Sequence, residues 1–155
     1  REGLASLPTP RLRATAEAVS WVAQNTELVP VGMSIGPFSM MTKLFSDPIT
    51  PVYLAGTGMT AEDEPDIGGI ETALQMCETI IEWSLRAQAE AGAKAVFVCE
   101  PAANIAYLSP NQLEAGSDIF ERFVMQPNRR LKALLDELGV ALIFHDCGEL
   151  LDSMV

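Results

Sequence analysis

One histidine serves the whole 155-residue chain, and it stands in the run His145-Asp146-Cys147-Gly148. The apolar stretch Val140-Ala141-Leu142-Ile143-Phe144 leads into it and reads as a buried strand. In extended backbone, positions i and i+2 project to the same side, so imidazole and thiol can reach one point. Zinc accepts imidazole nitrogen and thiolate sulfur together, which makes His145 and Cys147 candidate metal ligands. The spacing alone leaves another account open, a core thiol beside a histidine that hydrogen-bonds backbone. Two more apolar runs end in usable groups, Gly36-Pro37-Phe38-Ser39 and Cys99-Glu100-Pro101. Glu100 is a candidate acid/base, transient ligand or orienter of His145, against the plain alternative of a solvated or salt-bridged carboxylate. Cys99 alternates to the other side from Glu100 and reads as small packing.

The surrounding elements must carry these groups. Pro10 to Asn25 has helical spacing, with Leu12, Ala16, Val19, Val22 and Ala23 on one face. Val29 to Ile35 reads as a strand that turns at Gly36-Pro37, and Ser39 to Phe45 as a short helix. Ser46 to Gly69 is rich in proline, glycine and acid, so a long loop is expected, with Glu62 to Asp66 a solvated face or part of a lid. Gly69 to Ala91 is the clearest helix. Its apolar stripe includes Ile70, Ala73, Leu74, Cys77, Ile80, Ile81 and Leu85, and Gly92 supplies the stop. Lys94 to Cys99 is a short strand. Ser109-Pro110-Asn111-Gln112 predicts a helix start with a capping-box pair. Helical texture covers Asp118 to Val124, and Pro127 opens another helix that Gly139 ends.

Strands separated by helices of crossover length imply a parallel sheet, and the continuously apolar strand interiors predict burial on both faces. Chemistry in such folds collects where strands end. Hydrophobic content of 48% and charged content of 20% describe one globular domain. The net charge of −11 argues against nucleic-acid binding, which needs clustered lysine and arginine. Three cysteines at irregular spacing make no disulfide framework, so the expected compartment is the cytoplasm. No apolar run approaches the roughly 20 residues of a membrane span.

Taken in order, Gly36-Pro37-Phe38-Ser39, the helix closing on Glu90-Ala91-Gly92-Ala93, the strand into Glu100-Pro101, Leu108-Ser109-Pro110 and His145-Asp146-Cys147-Gly148 resemble the uroporphyrinogen decarboxylase superfamily. The resemblance implies an α/β fold, part of a (β/α)8 TIM barrel. A full barrel takes about 250 residues, so residues 1–155 are expected to form a single domain from its centre, without the first and last strands. Open strand edges would then favour self-association.

Within the superfamily the resemblance is closer to the corrinoid-dependent zinc methyltransferases. The tyrosine that decarboxylases carry after the Gly-Pro-Phe-like turn falls at Lys43, and their arginine-rich motif has no counterpart here. The branch implies zinc held by His145, Cys147 and a third cysteine, which is expected beyond Val155. It also implies Glu100 in catalysis, Gly36, Pro37, Phe38 and Ser39 at the substrate, and Met33, Met40 and Met41 as lining of an apolar corrinoid pocket or as filler. The implied donor is methylcobalamin, free or on a corrinoid protein, and the implied acceptor is a small thiol or a folate. Porphyrinogen decarboxylation and an inactive fragment are the competing expectations.

Overall fold

In the computed structural model, which describes residues 9–155, β1 (Val31–Ile35), β2 (Ala95–Glu100) and β3 (Ala141–Asp146) form one parallel sheet in that order. The register aligns three rows: Val31–Ala95–Ala141, Met33–Phe97–Ile143 and Ile35–Cys99–His145. Side chains of one row share a sheet face because strand residues alternate. The opposite face turns Val96 and Val98 into the core. The arrangement is three strands of a parallel α/β sheet, consistent with part of the expected barrel.

The helices are α1 (Pro10–Asn25), α2 (Pro37–Met41), α3 (Ile49–Gly56), α4 (Pro65–Glu90), α5 (Pro110–Glu114) and α6 (Gln126–Glu137). One apolar cluster joins Ala16 and Val19 of α1, Ile81 and Leu85 of α4, and Leu131 and Leu135 of α6 to Val96 and Val98. A second lies at the strand exits and unites Phe38 and Met41 of α2, Val52 of α3, Ile67, Ile70 and Cys77 of α4, Leu108 and Phe123. Each Val, Leu, Ile, Phe or Met among them contributes about 1.5–3 kcal/mol on burial. Truncating Leu85 or Phe123, both essentially inaccessible, would cost about 3 kcal/mol or more.

Several expectations are corrected. The stretch from Ser46 to Gly69 is not a continuous loop. Asp47 accepts from the N–H groups of Ile49 and Thr50 at 3.0 and 3.1 Å and starts α3. Pro51 fits inside that helix because a first turn needs no N–H from it. Likewise α4 begins at Pro65, four residues before the expected glycine, with the Glu64 side chain accepting from Asp66 N–H. Ile80 is exposed. The capping box at Ser109 does not form; the Gln112 amide donates to Tyr53 O at 2.9 Å instead. The short helix after Gly36 occupies 37–41, because Gly36 and Pro37 start it two residues early.

The sheet is also not buried on both faces among the described residues. Met33 is 63% exposed and Ile143 41%, and most of β3 is accessible. One edge is closed by a side chain: the buried Gln88 amide of α4 accepts from Met33 N–H at 2.8 Å and donates to Met33 O at 3.2 Å. Gly32 leaves room for it, since a Cβ there would stand 2.2 Å from Gln88 Oε1. A groove lined by Ala18, Val22, Val31 and Met33 runs beside this edge.

Between α5 and α6 the chain makes a π-helical turn, Glu121–Met125, that runs straight into α6. Gln126 N–H bonds to Glu121 O, five residues back. Pro127 follows at once. A proline ring clashes with the carbonyl four residues earlier in regular α-helix, and the wider turn relieves that clash. The expected break before Pro127 is therefore absent.

Candidate functional site

Parallel register brings the three singled-out segments to the same edge of the sheet, but onto two faces. Ile35, Cys99 and His145 end the accessible face. Glu100 pairs with Asp146 on the other face, beside Gly36.

Glu100 is fully buried. Its Oε1 accepts from Phe38 N–H at 3.2 Å and from Asn128 Nδ2 at 2.8 Å, and its Oε2 accepts from Ser39 N–H at 2.8 Å. The first amides of α2 have no intrahelical partners, so a carboxylate at that end satisfies them and complements the helix dipole. Gly36 must lack a Cβ here, because one would lie 2.2 Å from the Glu100 carboxyl carbon. Burial pushes the Glu100 carboxyl up from the usual range, against the lowering effect of Asn128, Ser39 and Phe38. Gly36, Pro37, Phe38 and Ser39 are all buried. Glu100 thus meets the Gly36–Ser39 turn and faces away from His145.

His145 is exposed, and its ring stacks on Phe97 with centroids 5.3 Å apart and planes 29° off parallel. It belongs to β3 itself and does not follow it. Cys147 is the first residue past β3 and is half-buried. Cys99, its thiol pushed up by burial and by the neighbouring Cys147 and Glu100, sits one strand over in register with His145. Imidazole and thiol donors of this kind suit zinc. Among the described residues, however, no three His, Cys, Asp or Glu side chains are assembled to hold a metal. The imidazole of His145 and the thiol of Cys147 are of the chemical kind that zinc accepts, and no third such donor among the described residues is assembled with them.

Asp146, between them, points to the covered face. Both carboxylate oxygens are shielded from solvent without a well-formed hydrogen bond. Burial pushes its pKa up to about 6, with Cys147 N–H and His145 easing the charge and Glu100 opposing it.

Two site residues escaped the sequence. Asn128 donates to Glu100, and Asn104 donates from Nδ2 to Pro101 O at 2.8 Å and to Cys147 O at 3.1 Å. Neither lies in a motif, and only the distance between helix and strand end reveals them. Met41 is core, whereas Met33 is on the accessible face. Lys43 Nζ stands 6.0 Å from the Tyr107 ring centroid. Arg122, Arg129 and Arg130 pair with Glu71, Glu121 and Glu78 on the outer helices, and Arg1 lies outside the described residues. No described helix is long and apolar enough to cross a membrane.

Comparison with known proteins supplies context for this edge. The family model described as uroporphyrinogen decarboxylase (URO-D) matches residues 2–155. The methylcobamide:CoM methyltransferase MtbA of Methanosarcina mazei is 25% identical over 145 residues, covering 92% of this chain. The chain spans 38% of that relative's length. No solved structure matches.

Proposed function

The chain belongs to the uroporphyrinogen decarboxylase family, and from that premise we propose that it carries the metal edge of a zinc-dependent methyltransferase. The reaction moves a methyl group from a methylated corrinoid, free or protein-borne, to a small thiol or a folate. One observation carries the reading: His145 stands on the accessible sheet face at the strand ends, and Cys147 follows where β3 stops. The likeness to a methylcobamide:CoM methyltransferase supports it.

In this reading His145 and Cys147 hold zinc, with a third ligand from outside residues 1–155. When bound there, zinc would supply Lewis acidity and stabilise an incoming sulfur as thiolate. The chain's own residues do the rest. Phe97 supports the imidazole by stacking, and Ile35, Phe97 and Ile143 on the same sheet face make the surroundings apolar. Glu100 acts by holding the Gly36–Ser39 turn against the strand end, so the roles proposed for the turn and for Glu100 are those of a rigid floor behind the substrate. The wider TIM barrel and a cytoplasmic setting belong to the same proposal.

Decarboxylation of a porphyrinogen would call for arginines at the strand ends to clamp several carboxylates. Arg122, Arg129 and Arg130 are instead engaged by glutamates on the outer helices, which favours the methyltransferase. Two measurements test the reading, zinc content after purification and thiol-dependent demethylation of methylcobalamin followed by absorption. Stoichiometric zinc, lost in His145→Ala and Cys147→Ser, is the expected result. Metal-free protein that takes up no added zinc would overturn it.

A further inference from the structure

Cys147 lies just beyond the ladder that holds β3, so the sheet does not fix its backbone. Two hydrogen bonds cross to its turn from the exit of β2. The first comes from Asn104, 8% exposed, whose Nδ2 reaches both Pro101 O and Cys147 O while Oδ1 accepts from Ala106 N–H at 3.0 Å. The second is Ile105 N–H to Glu149 O at 3.2 Å. Gly148 makes the first one possible. Its φ is +103°, and a Cβ there would lie 2.7 Å from Asn104 Nδ2 and 2.9 Å from its Cγ. A side chain at 148 and the amide at 104 cannot share that space. Both N–H donors of the amide are engaged and its oxygen accepts once, so it serves three backbone partners.

We infer that Asn104 is the positioning residue for Cys147, tying the Cys147–Gly148 turn to the β2 exit and so fixing the thiol relative to His145. The chemical consequence rests on the zinc reading above; the mechanical one does not. Hydrogen-bonded supports of metal ligands typically govern affinity by about 10- to 100-fold. A turn held by two hydrogen bonds loses its fixed position when the side-chain bond goes.

The experiment uses the 155-residue protein and two substitutions that break the tie from opposite sides, Asn104→Asp and Gly148→Ala. Asn104→Asp keeps the acceptor for Ala106 and removes the donor; Gly148→Ala leaves Asn104 in place and crowds it. In metal-free protein, alkylation by iodoacetamide is followed peptide by peptide. Both variants should alkylate Cys147 several-fold faster, with the buried Cys77 unchanged. Titration with Co(II), read by its thiolate charge-transfer and d–d bands, should show about tenfold weaker binding and altered bands in both variants. The double variant should be no worse than either single one, because both break the same contact. Unchanged Cys147 alkylation in both variants overturns the positioning role. So does unchanged Co(II) affinity and spectrum where His145→Ala and Cys147→Ser abolish binding. If the unaltered protein ignores Co(II), or binds it equally well without His145 and Cys147, the zinc reading falls while alkylation still decides the role of Asn104.

Discussion

Glu100 accepts from the backbone of Ser39, and the Ser39 side chain returns to the same strand end. The carboxylate Oε2 accepts from Ser39 N–H at 2.8 Å, and the Ser39 hydroxyl accepts from Ala102 N–H, two residues beyond Glu100, at 2.9 Å. The pair clamps the end of β2 to the start of α2. With Phe38 and Asn128 also donating, the carboxylate answers three donors. Glu100→Gln presents an NH2 group to N–H donors and should destabilise by about 2 kcal/mol. Gly36→Ala, which forces a Cβ into the carboxylate, should cost a similar amount. Urea unfolding of the two variants checks both, and equal midpoints to the unaltered protein would refute the clamp.

Asp146 gives the metal-free protein a defined pH dependence. Its folded pKa of about 6 lies above the ordinary 3.8, so the native state holds the proton more tightly than the unfolded chain. The favourable contribution is present below the ordinary value and is lost as pH rises through about 6. Asp146→Asn removes the titration. The melting temperature of that variant relative to the unaltered protein should therefore climb between pH 4 and 7, then level. A flat difference across that range would show that the carboxyl is not held neutral.

A single histidine gives a single imidazole signal. Stacking on Phe97 should move the His145 ring protons upfield in an NMR spectrum, and Phe97→Leu should return them to ordinary positions. Addition of zinc should shift the same signal in the unaltered protein. A histidine signal indifferent to Phe97→Leu would rule out the stack, and one indifferent to zinc would count against the metal role.

Gln88 occupies the backbone groups of Met33 that another strand would use. Unpaired strand edges invite pairing between molecules. Gln88→Ala should lower stability by about 1–3 kcal/mol, from the loss of buried hydrogen bonds. It should also raise the self-association measured by sedimentation velocity, through the groove beside Val31 and Met33. A variant that stays as monodisperse as the parent would show that this amide does not guard the edge.

The alternation of strands and helices was legible because apolar periodicity depends on local sequence alone. The opposite orientation of Cys99 and Glu100 was legible for the same reason, since strand parity needs no tertiary information. Helix α3 was not, because Pro48 and Pro51 read as breakers until their place in a first turn is known. The exposure of β3 was equally hidden: Ala141 to Phe144 are apolar whichever side carries a cover. Among the site residues, the segments that end strands could be named, but their partners could not. Asn104 reaches a carbonyl 43 residues away and Asn128 a carboxylate 28 residues away, and no local pattern encodes either distance.

The π-helical turn before α6 sets the helical phase at which Asn128 arrives. Each residue of α-helix advances about 100° around its axis. A π-turn holds one residue more than the α-turn it replaces, so forcing 121–125 into regular winding with every residue kept and the upstream turn packed would swing the Asn128 amide by about that angle. Glu100 would lose its side-chain donor although no residue touching it had changed. The extra residue that the wider turn absorbs is thus what keeps the amide aimed at the strand end.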